Sequence, residues 1–467
     1  MADIEKEKDL IYKYFKLVES GKLKIYSVDN EIFKEINDFE KAVFLANEVR
    51  RKIVEAKTNK ELKAIAKHNE VFANSEKKIV QIEQAIGSAI IPLGIAGPIL
   101  INGEFANGNY YIPIATNEAA LIAGLQRGIK ATNLARGIKT IVKSSFMTRA
   151  PVVECPSLEK AKELVENINN NKRIFEVLEE SVSKESKHSK LIGMKAFSLN
   201  RFVWIRLEFD TSEAMGMNSA TKYSAIVIKN LKGLFDGIKL IALSGNLCTD
   251  KKSNHINMLM GRGVSVEAEC VIPEGILKKV FGESVSVDAI VKINSIKNHL
   301  GSELSGTLTG FNANAANTVA GIFLATGQDA AQIVESSTAI VYCEAIDCKE
   351  EQFPICSTSS NENDECKKCL KISVSMPNIE VGTIGGGTVY HTAKECLAIL
   401  DCLDGKVGEK KKRLAEIICA AVLCQELNLL ATLADGYKLA ESHVRLARGE
   451  GISKENSSND DEEKKEY

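Results

Sequence analysis

Residues 191–210 read LIGMKAFSLNRFVWIRLEFD. Apolar and polar positions alternate on either side of Asn200 and Arg201, the period of two that a half-buried strand requires, so the stretch predicts two strands. Working outward, the N-terminal flank carries VVEC at 152–155, the helical spacing of SLEKAKELVENI at 157–168, and a further helix ending near Ser186. The C-terminal flank carries a helix from Asn218 and the apolar strand IKLIALS at 238–244. Helices and strands interleaved in this way predict an α+β fold, with residues 151–243 forming a small unit inserted in a larger domain.

Beyond the insert the texture becomes rich in Gly and Ala. IATNEAALIAGLQRGIKATNLARG (114–137) reads as a long central helix capped by Thr116 or Asn117, and its small residues imply close packing against another helix or chain. The large α/β domain is therefore expected to be discontinuous, 83–150 and 254–450, with 244–253 as a connecting loop. Residues 1–82 are rich in Lys and Glu with apolar positions at helical spacing, as in FEKAVFLANEVRRKIVEA (39–56), and predict an N-terminal helical domain. The polar end, 451–467, is expected to be disordered.

A length of 467 residues fits two or three domains, and 45% hydrophobic with 26% charged residues is a globular balance. The 60 Lys and Arg are matched by 62 Asp and Glu, so no net basic charge is available to hold a nucleic-acid backbone. The N-terminus resembles neither a signal nor a transit peptide, which predicts a soluble, cytoplasmic protein. The most apolar stretch, AIGSAIIPLGIAGPILI (85–101), is broken by Pro92, Pro98 and three glycines, so no membrane anchor is expected. Twelve cysteines without a secretory signal are expected to be reduced thiols. Cys348, Cys356, Cys366 and Cys369 fall in a hydrophilic stretch with a single CxxC and otherwise irregular spacing, which reads as a surface loop and not as a metal site.

The familiar motifs for nucleotide, metal or acyl chemistry are missing: no GxGxxG after a strand, no GxxxxGK[ST], no HExxH and no GxSxG. Four polar clusters in apolar or small-residue surroundings remain. Glu118 sits at the start of the 114–137 segment, where it could also be a helix-dipole partner. Asp250, Lys251 and Lys252 lie in SGNLCTDKKSNHIN (244–257), which would also pass for a solvated loop. Asp329 is the one charged residue between Glu303 and Glu335, and an acid in such a setting has a raised pKa unless a cation faces it. His443 stands near the end of the ordered chain, where a histidine is commonly a surface group.

Order and wording connect these clusters. IPLGIAGP, ATNEAALIAGLQRG, MTRAPVV, EAMGMN, SGNLCTDKK, GFNANAANTVAGIFLATGQDAAQ, VGTIGGGT and ESH resemble the signature blocks of 3-hydroxy-3-methylglutaryl-CoA (HMG-CoA) reductase, in that family's order, from 83 to about 446. MGMNSATK and TDKK are closer to the eukaryotic and archaeal branch, class I.

The resemblance implies a four-electron reduction of HMG-CoA to mevalonate, with two NADPH consumed and CoA released. It implies Lys251 as the cation meeting the oxyanion, Glu118 as the proton donor, Asp329 between them, and His443 protonating the departing thiolate. Asn317 would hold the lysine. Arg149, Ser244, Asn246, Asp250, Lys252 and Lys297 would bind substrate, with Arg127 and Lys130 near the CoA phosphates or a subunit partner. The small insert would take NADPH through Glu213, Met215, Gly216, Met217 and Asn218, closed over by Gly385, Gly386, Gly387 and Thr388, with Ser186 and Lys187 at the 2′-phosphate. It implies a ferredoxin-like insert, a homodimer or higher homo-oligomer with shared sites, and no metal. Glu213 stands where Asp is usual, Lys187 where Arg is, and Asn314 where His is. An NAD-dependent, mevalonate-degrading enzyme and a non-catalytic acyl-CoA-binding descendant are the alternatives.

Overall fold

A computed structural model describes residues 2–69, 73–74, 79–80, 82–186, 188–348 and 368–436. Lys187, His443, residues 349–367 and the tail from 451 lie outside these residues. The chain divides into two compact units, Met1–Pro92 and Leu93–Tyr467.

In the first unit α1 (Ala2–Glu19), α2 (Val28–Ile36) and α3 (Phe39–Thr58) pack around Tyr14, Val28, Ile32, Leu45 and Val49. Local chemistry sets the ends of α3. The Asp38 side chain accepts from the Lys41 backbone N–H, and Asn59 terminates the helix in the left-handed conformation.

The second unit opens with β1 (Leu93–Asn102), β2 (Asn107–Ala115), α4 (Leu121–Leu134) and β3 (Ile138–Arg149). It continues through β4 (Val152–Glu154), α5 (Leu158–Asn170), α6 (Lys172–Ser183), β5 (Lys190–Leu199), β6 (Phe202–Asp210), α7 (Met217–Leu234) and β7 (Lys239–Ala242). After these come β8 (Gly263–Pro273), α8 (Ala315–Ala325), β9 (Ile340–Asp347), β10 (Lys368–Ile379) and α9 (Lys410–Ala434), with shorter helices between. The strand order is β9-β10-β8-β3-β6-β4-β7, with β1 and β2 attached at β3 and β5 at β6.

β3 serves two sheets. Residues 139–146 pair with β8, and residues 147–149 pair with β6. Beyond it the order β7-β4-β6-β5, antiparallel throughout, is the order of a ferredoxin-like unit with one additional helix. The hairpin read from 191–210 is there, turned by Asn200 at φ 54°, with Val203, Ile205, Leu207 and Phe209 buried on one face. Those residues share a core with Leu164, Leu178, Val227 and Leu231 of the covering helices.

Two expectations about helices change. The segment at 114–137 is helical only from Leu121, because Ala120 adopts φ 71° and breaks the run. The Thr116 hydroxyl accepts from the Glu118 N–H two residues on, making a turn where a cap was expected. The long central helix is instead α9, 25 residues, apolar on every side and almost wholly buried. Among the described residues it is the one helix long and apolar enough to cross a membrane, yet 83% of that window is buried inside the unit.

The small residues of α4 face α9. A Cβ on Gly128 would stand 2.0 Å from the Cys424 carbonyl oxygen, and one on Gly124 would stand 2.6 Å from Asn428. Glycine is required here by close approach within one chain. One cysteine expectation is also overturned: Cys348 and Cys369 form a disulfide. β9 and β10 pair antiparallel with Asp347 opposite Lys368, which brings the two cysteines to the mouth of the hairpin with Cα atoms 5.3 Å apart, within bonding reach. The other eight described cysteines are free and buried.

Candidate active site

Residues 243–254 form neither helix nor strand, and three non-glycine residues there, Asn246, Thr249 and Lys251, take φ of 62°, 48° and 61°. Such conformations cost on the order of 1–3 kcal/mol and persist only where the surroundings impose them. Here they do. Trp204 Nε1 donates to the Gly245 carbonyl at 2.8 Å, Arg206 Nη1 donates to the Leu247 carbonyl at 3.1 Å, and Asn257 Nδ2 donates to the carbonyls of Cys248 and Thr249. A Cβ at Gly245 would lie 2.8 Å from the Trp204 ring. The small sheet thus shapes the loop that carries Lys251.

Lys251 Nζ lies 3.1 Å from Asp329 Oδ2, with the two side chains 45% and 38% exposed. The cation that the apolar setting of Asp329 required is therefore present. Asp329 also accepts from the Ala331 N–H at 3.0 Å, which begins a 3-10 turn. Glu118 forms a second pair, accepting from Asn317 Nδ2 at 3.1 Å. Among the described residues neither Glu118 nor Asn317 hydrogen-bonds to Lys251 or Asp329. Asn317 thus holds the glutamate and not the lysine. It projects from the first turn of α8, whose preceding Ala313 and Asn314 N–H groups donate to the buried Glu426 of α9, each at 2.7 Å. Burial pushes the Glu426 carboxyl up to about 7, against the opposing pull of those N–H groups and of Lys297.

A cleft of about 620 Å³ opens beside the lysine, walled by 214–219, 327–329, 382 and 384–388, with Lys251 and Asp329 at its edge. The walls meet backbone to backbone. A Cβ on Gly327 would stand 2.3 Å from the Gly387 carbonyl oxygen, and one on Gly382 would stand 2.5 Å from the Met215 nitrogen. Gln328, unremarked in the sequence, closes the seam by accepting from Gly382 N–H at 2.9 Å and donating to Gly382 O at 3.0 Å. α7 starts at this cleft after Gly216 (φ 94°), and its first turn has no acidic residue.

Met215, Gly216, Met217, Asn218, Gly385, Gly386, Gly387 and Thr388 line the cleft; Glu213 does not. Its buried carboxylate accepts from Thr383 Oγ1 at 2.9 Å and from the backbone N–H groups of Gly408, Lys410 and Lys411 at the start of α9. Its expected place on the cofactor is corrected to one behind the cleft wall. Lys411 is buried beside it, donating to Thr211 Oγ1 and to the Ala214 carbonyl at 3.3 Å each, and burial lowers its ammonium to about 8.

Other expected substrate groups face their own chain. Arg127 bonds Asn428 and Thr432 of α9 at 3.1 and 3.0 Å, so it packs one helix on another. Arg149 Nη1 stands 3.6 Å from Asp250 Oδ2, and Lys252 Nζ donates to the Asp250 carbonyl at 3.0 Å. Ser244 and Asn246 lie on the same loop, Lys297 is exposed on the helix Asn294–Gly301, and Lys130 is exposed on α4. Ser186 accepts from the N–H groups of His188 and Ser189.

Beneath the loop lies a cluster that sequence reading missed. The fully buried Arg262 guanidinium pairs with Asp250 Oδ1 at 3.0 Å, Glu335 Oε1 at 3.0 Å and Glu380 Oε1. The three carboxylates offer oxygens within 4.8 Å of one another, and the guanidinium is the cation they enclose. Burial would raise the Asp250 carboxyl, but Gln332, Arg262 and Arg149 outweigh it and hold it below its ordinary value. Glu335 and Glu380 are driven up by burial, and Arg262 is held up against its own burial by the carboxylates. The signal that singled out Asp329, a lone charge in an apolar run, is weaker at Arg262, Glu335 and Glu380, whose uncharged surroundings are shorter.

Comparison with known proteins accords with this arrangement. The sequence profile of hydroxymethylglutaryl-coenzyme A reductase matches residues 46–448. The 3-hydroxy-3-methylglutaryl-coenzyme A reductase of Pyrococcus abyssi is 39% identical over 92% of this chain and 98% of its own length. Reductase 1 of Dictyostelium discoideum is 38% identical over 92% of this chain and 72% of its own. Among solved structures, the class II 3-hydroxy-3-methylglutaryl-CoA reductase of Streptococcus pneumoniae bound to NADPH in open conformations shares the fold, at TM-score 0.57 and 18% identity, over 82% of this chain and 96% of that one.

Proposed function

The chain belongs to the hydroxymethylglutaryl-coenzyme A reductase family of oxidoreductases, and from that premise we propose that it reduces HMG-CoA to mevalonate with two NADPH and releases CoA. The observation that carries the reading is the Lys251–Asp329 pair at the edge of a glycine-walled cleft. NADPH supplies hydride when bound. Residues 214–219 and 384–388 would hold it. The start of α7, with no side-chain cap among the described residues and no acid in its first turn, suits a phosphate, and the cleft's volume suits a slender ligand.

Each reduction leaves negative charge on a carbonyl oxygen, and Lys251 is the cation beside which that charge forms. Asp329 keeps the ammonium aimed. Glu118, oriented by Asn317, donates the proton, and His443 protonates the departing thiolate. Arg149, Ser244, Asn246, Asp250, Lys252 and Lys297 form the substrate side. Residues 83–150 and 254–450 make the substrate domain, and 151–243 the cofactor domain. The half-open setting of Lys251 and Asp329 supports a homodimer in which a second copy encloses the site.

The test is initial-rate absorbance at saturating HMG-CoA with NADPH or NADH, together with a thiol assay for CoA. The expected result is one CoA per two NADPH and a preference for NADPH, with Lys251→Met lowering kcat at least ~100-fold. Turnover by folded Lys251→Met at the parental rate overturns the assignment, and a clear preference for NADH overturns the choice of cofactor.

A further inference from the structure

Glu335 is fully buried, yet one of its oxygens reaches two groups: Oε1 accepts from the Lys251 backbone N–H at 2.7 Å and from Arg262 Nη1 at 3.0 Å. Glu335 belongs to the same short segment as Asp329, which runs from the 3-10 turn Ala330–Gln332 directly into the helix Ile333–Ser336. That segment therefore grips Lys251 at two points, the ammonium through Asp329 and the backbone through Glu335.

We propose that Glu335 is a positioning residue for the reaction: it fixes the left-handed backbone of Lys251 and thereby sets where the ammonium group stands relative to Asp329. The inference rests on the reading of Lys251 as the cation that meets the oxyanion.

Three physical points support it. Lys251 at φ 61° occupies a conformation that L-residues avoid by roughly 1–2 kcal/mol, so something must hold it there. A backbone N–H in an exposed loop is ordinarily satisfied by water, whereas this one is satisfied by a buried carboxylate. Ion pairing alone does not account for that carboxylate, because Arg262 is already matched by Glu380 and Asp250, and a third buried acid costs more than an apolar side chain of its size. Arg262 immediately precedes β8 and Glu380 immediately follows β10, so the chain of contacts ties the loop to the central strands.

The test compares Glu335→Gln and Glu335→Met with Lys251→Met in the full-length enzyme, reading kcat, both KM values and thermal midpoint. Glu335→Gln keeps a carbonyl for the Lys251 N–H and is expected within about 3-fold of the parental kcat. Glu335→Met removes the acceptor and is expected to lose roughly 10–100-fold in kcat, with both KM values within about 2-fold, since displacement of a reacting group by about 1 Å has that scale of effect. Turnover by Lys251→Met brings down the lysine reading. An inactive Lys251→Met beside a Glu335→Met of unchanged kcat brings down this inference alone. So does a Glu335→Gln that loses kcat, both KM values and thermal midpoint together, which would mark a merely structural role. Should Glu335→Met fail to fold, amide exchange decides: the Lys251 N–H is expected to be protected at least ~10-fold over the rate of an unprotected amide in the parental enzyme and in Glu335→Gln, and exchange at the unprotected rate overturns the proposal.

Discussion

Lys251–Asp329 and Arg262 with its three acids meet at the loop that carries Asp250, where Glu335 accepts from the Lys251 N–H, yet they operate in different dielectric regimes. The first pair is nearly half exposed on both sides, at 3.1 Å. The Arg262 side chain has no exposed area and neither do Glu335 and Glu380 to any useful extent. An exposed pair gains little from its attraction, on the order of 0–1 kcal/mol, because water screens it. On the proposed reading, its ammonium is left accessible to a substrate. A buried cluster interacts strongly but carries a desolvation cost, so its members are useful as fixed framework and costly to remove singly. On the proposed reading, the molecule separates chemistry from rigidity at neighbouring positions of one loop.

The largest effect that would break this contrast concerns Arg262. Arg262→Met leaves three acids facing one another in a dry site and is expected to cost about 3–5 kcal/mol in urea unfolding. Lys251→Met is expected to change unfolding by no more than about 0.5 kcal/mol while removing turnover. Equal losses of stability in the two variants would erase the distinction.

An effect of intermediate size lies in pH. Glu335 is pushed up to about 7 by burial, as is Glu426 at the foot of α8, and Glu380 is also raised. These groups hold a proton in the folded chain at pH values where the unfolded chain has lost it. Their contribution is thus fully present below the ordinary carboxylate range and declines as pH climbs from about 4.5 to about 7. Glu335→Gln, which cannot lose a proton, is expected to flatten that decline by on the order of 2 kcal/mol in unfolding measured across the window. An unchanged slope would mean that Glu335 ionises normally despite its burial.

Why the exposed pair was legible in sequence and the buried cluster was not follows from the same contrast. Lys251 and Asp329 sit in long blocks, SGNLCTDKK and GFNANAANTVAGIFLATGQDAAQ, whose wording carries family information. Arg262, Glu335 and Glu380 are three single letters far apart in the chain; the pairing of β8 with β10 brings Arg262 to Glu380, and the helix Ile333–Ser336 brings Glu335 to both. The hairpin at 191–210 was readable because alternation is local. The start of α4 was not, because the left-handed turn at Ala120 leaves no mark in composition. The small residues of α4 left open another helix or another chain, and Arg127 a ligand or a partner; α9 fills that side for both. Nothing local in the sequence marks the acids of α9, yet Glu416 and Glu426 each accept backbone N–H groups from distant segments, 104–106 and 313–314.

Lys411 sharpens the comparison at its smallest scale. It is a second buried cation, but where Arg262 touches three carboxylates, Lys411 Nζ touches a hydroxyl and a carbonyl oxygen among the described residues. Burial accordingly lowers its ammonium to about 8, with Asp210 and Glu213 opposing the shift and Lys412 reinforcing it. The folded chain releases this proton before the unfolded chain does, so stability rises as pH climbs from about 8 towards the ordinary lysine value of 10.5. Lys411→Met discards two long hydrogen bonds and the cost of a buried charge together. These changes oppose each other, and the expected shift in unfolding free energy at pH 7 is within about 1 kcal/mol, with the alkaline rise abolished. A loss as large as that of Arg262→Met would show instead that an unpaired buried cation can hold the framework as firmly as a paired one.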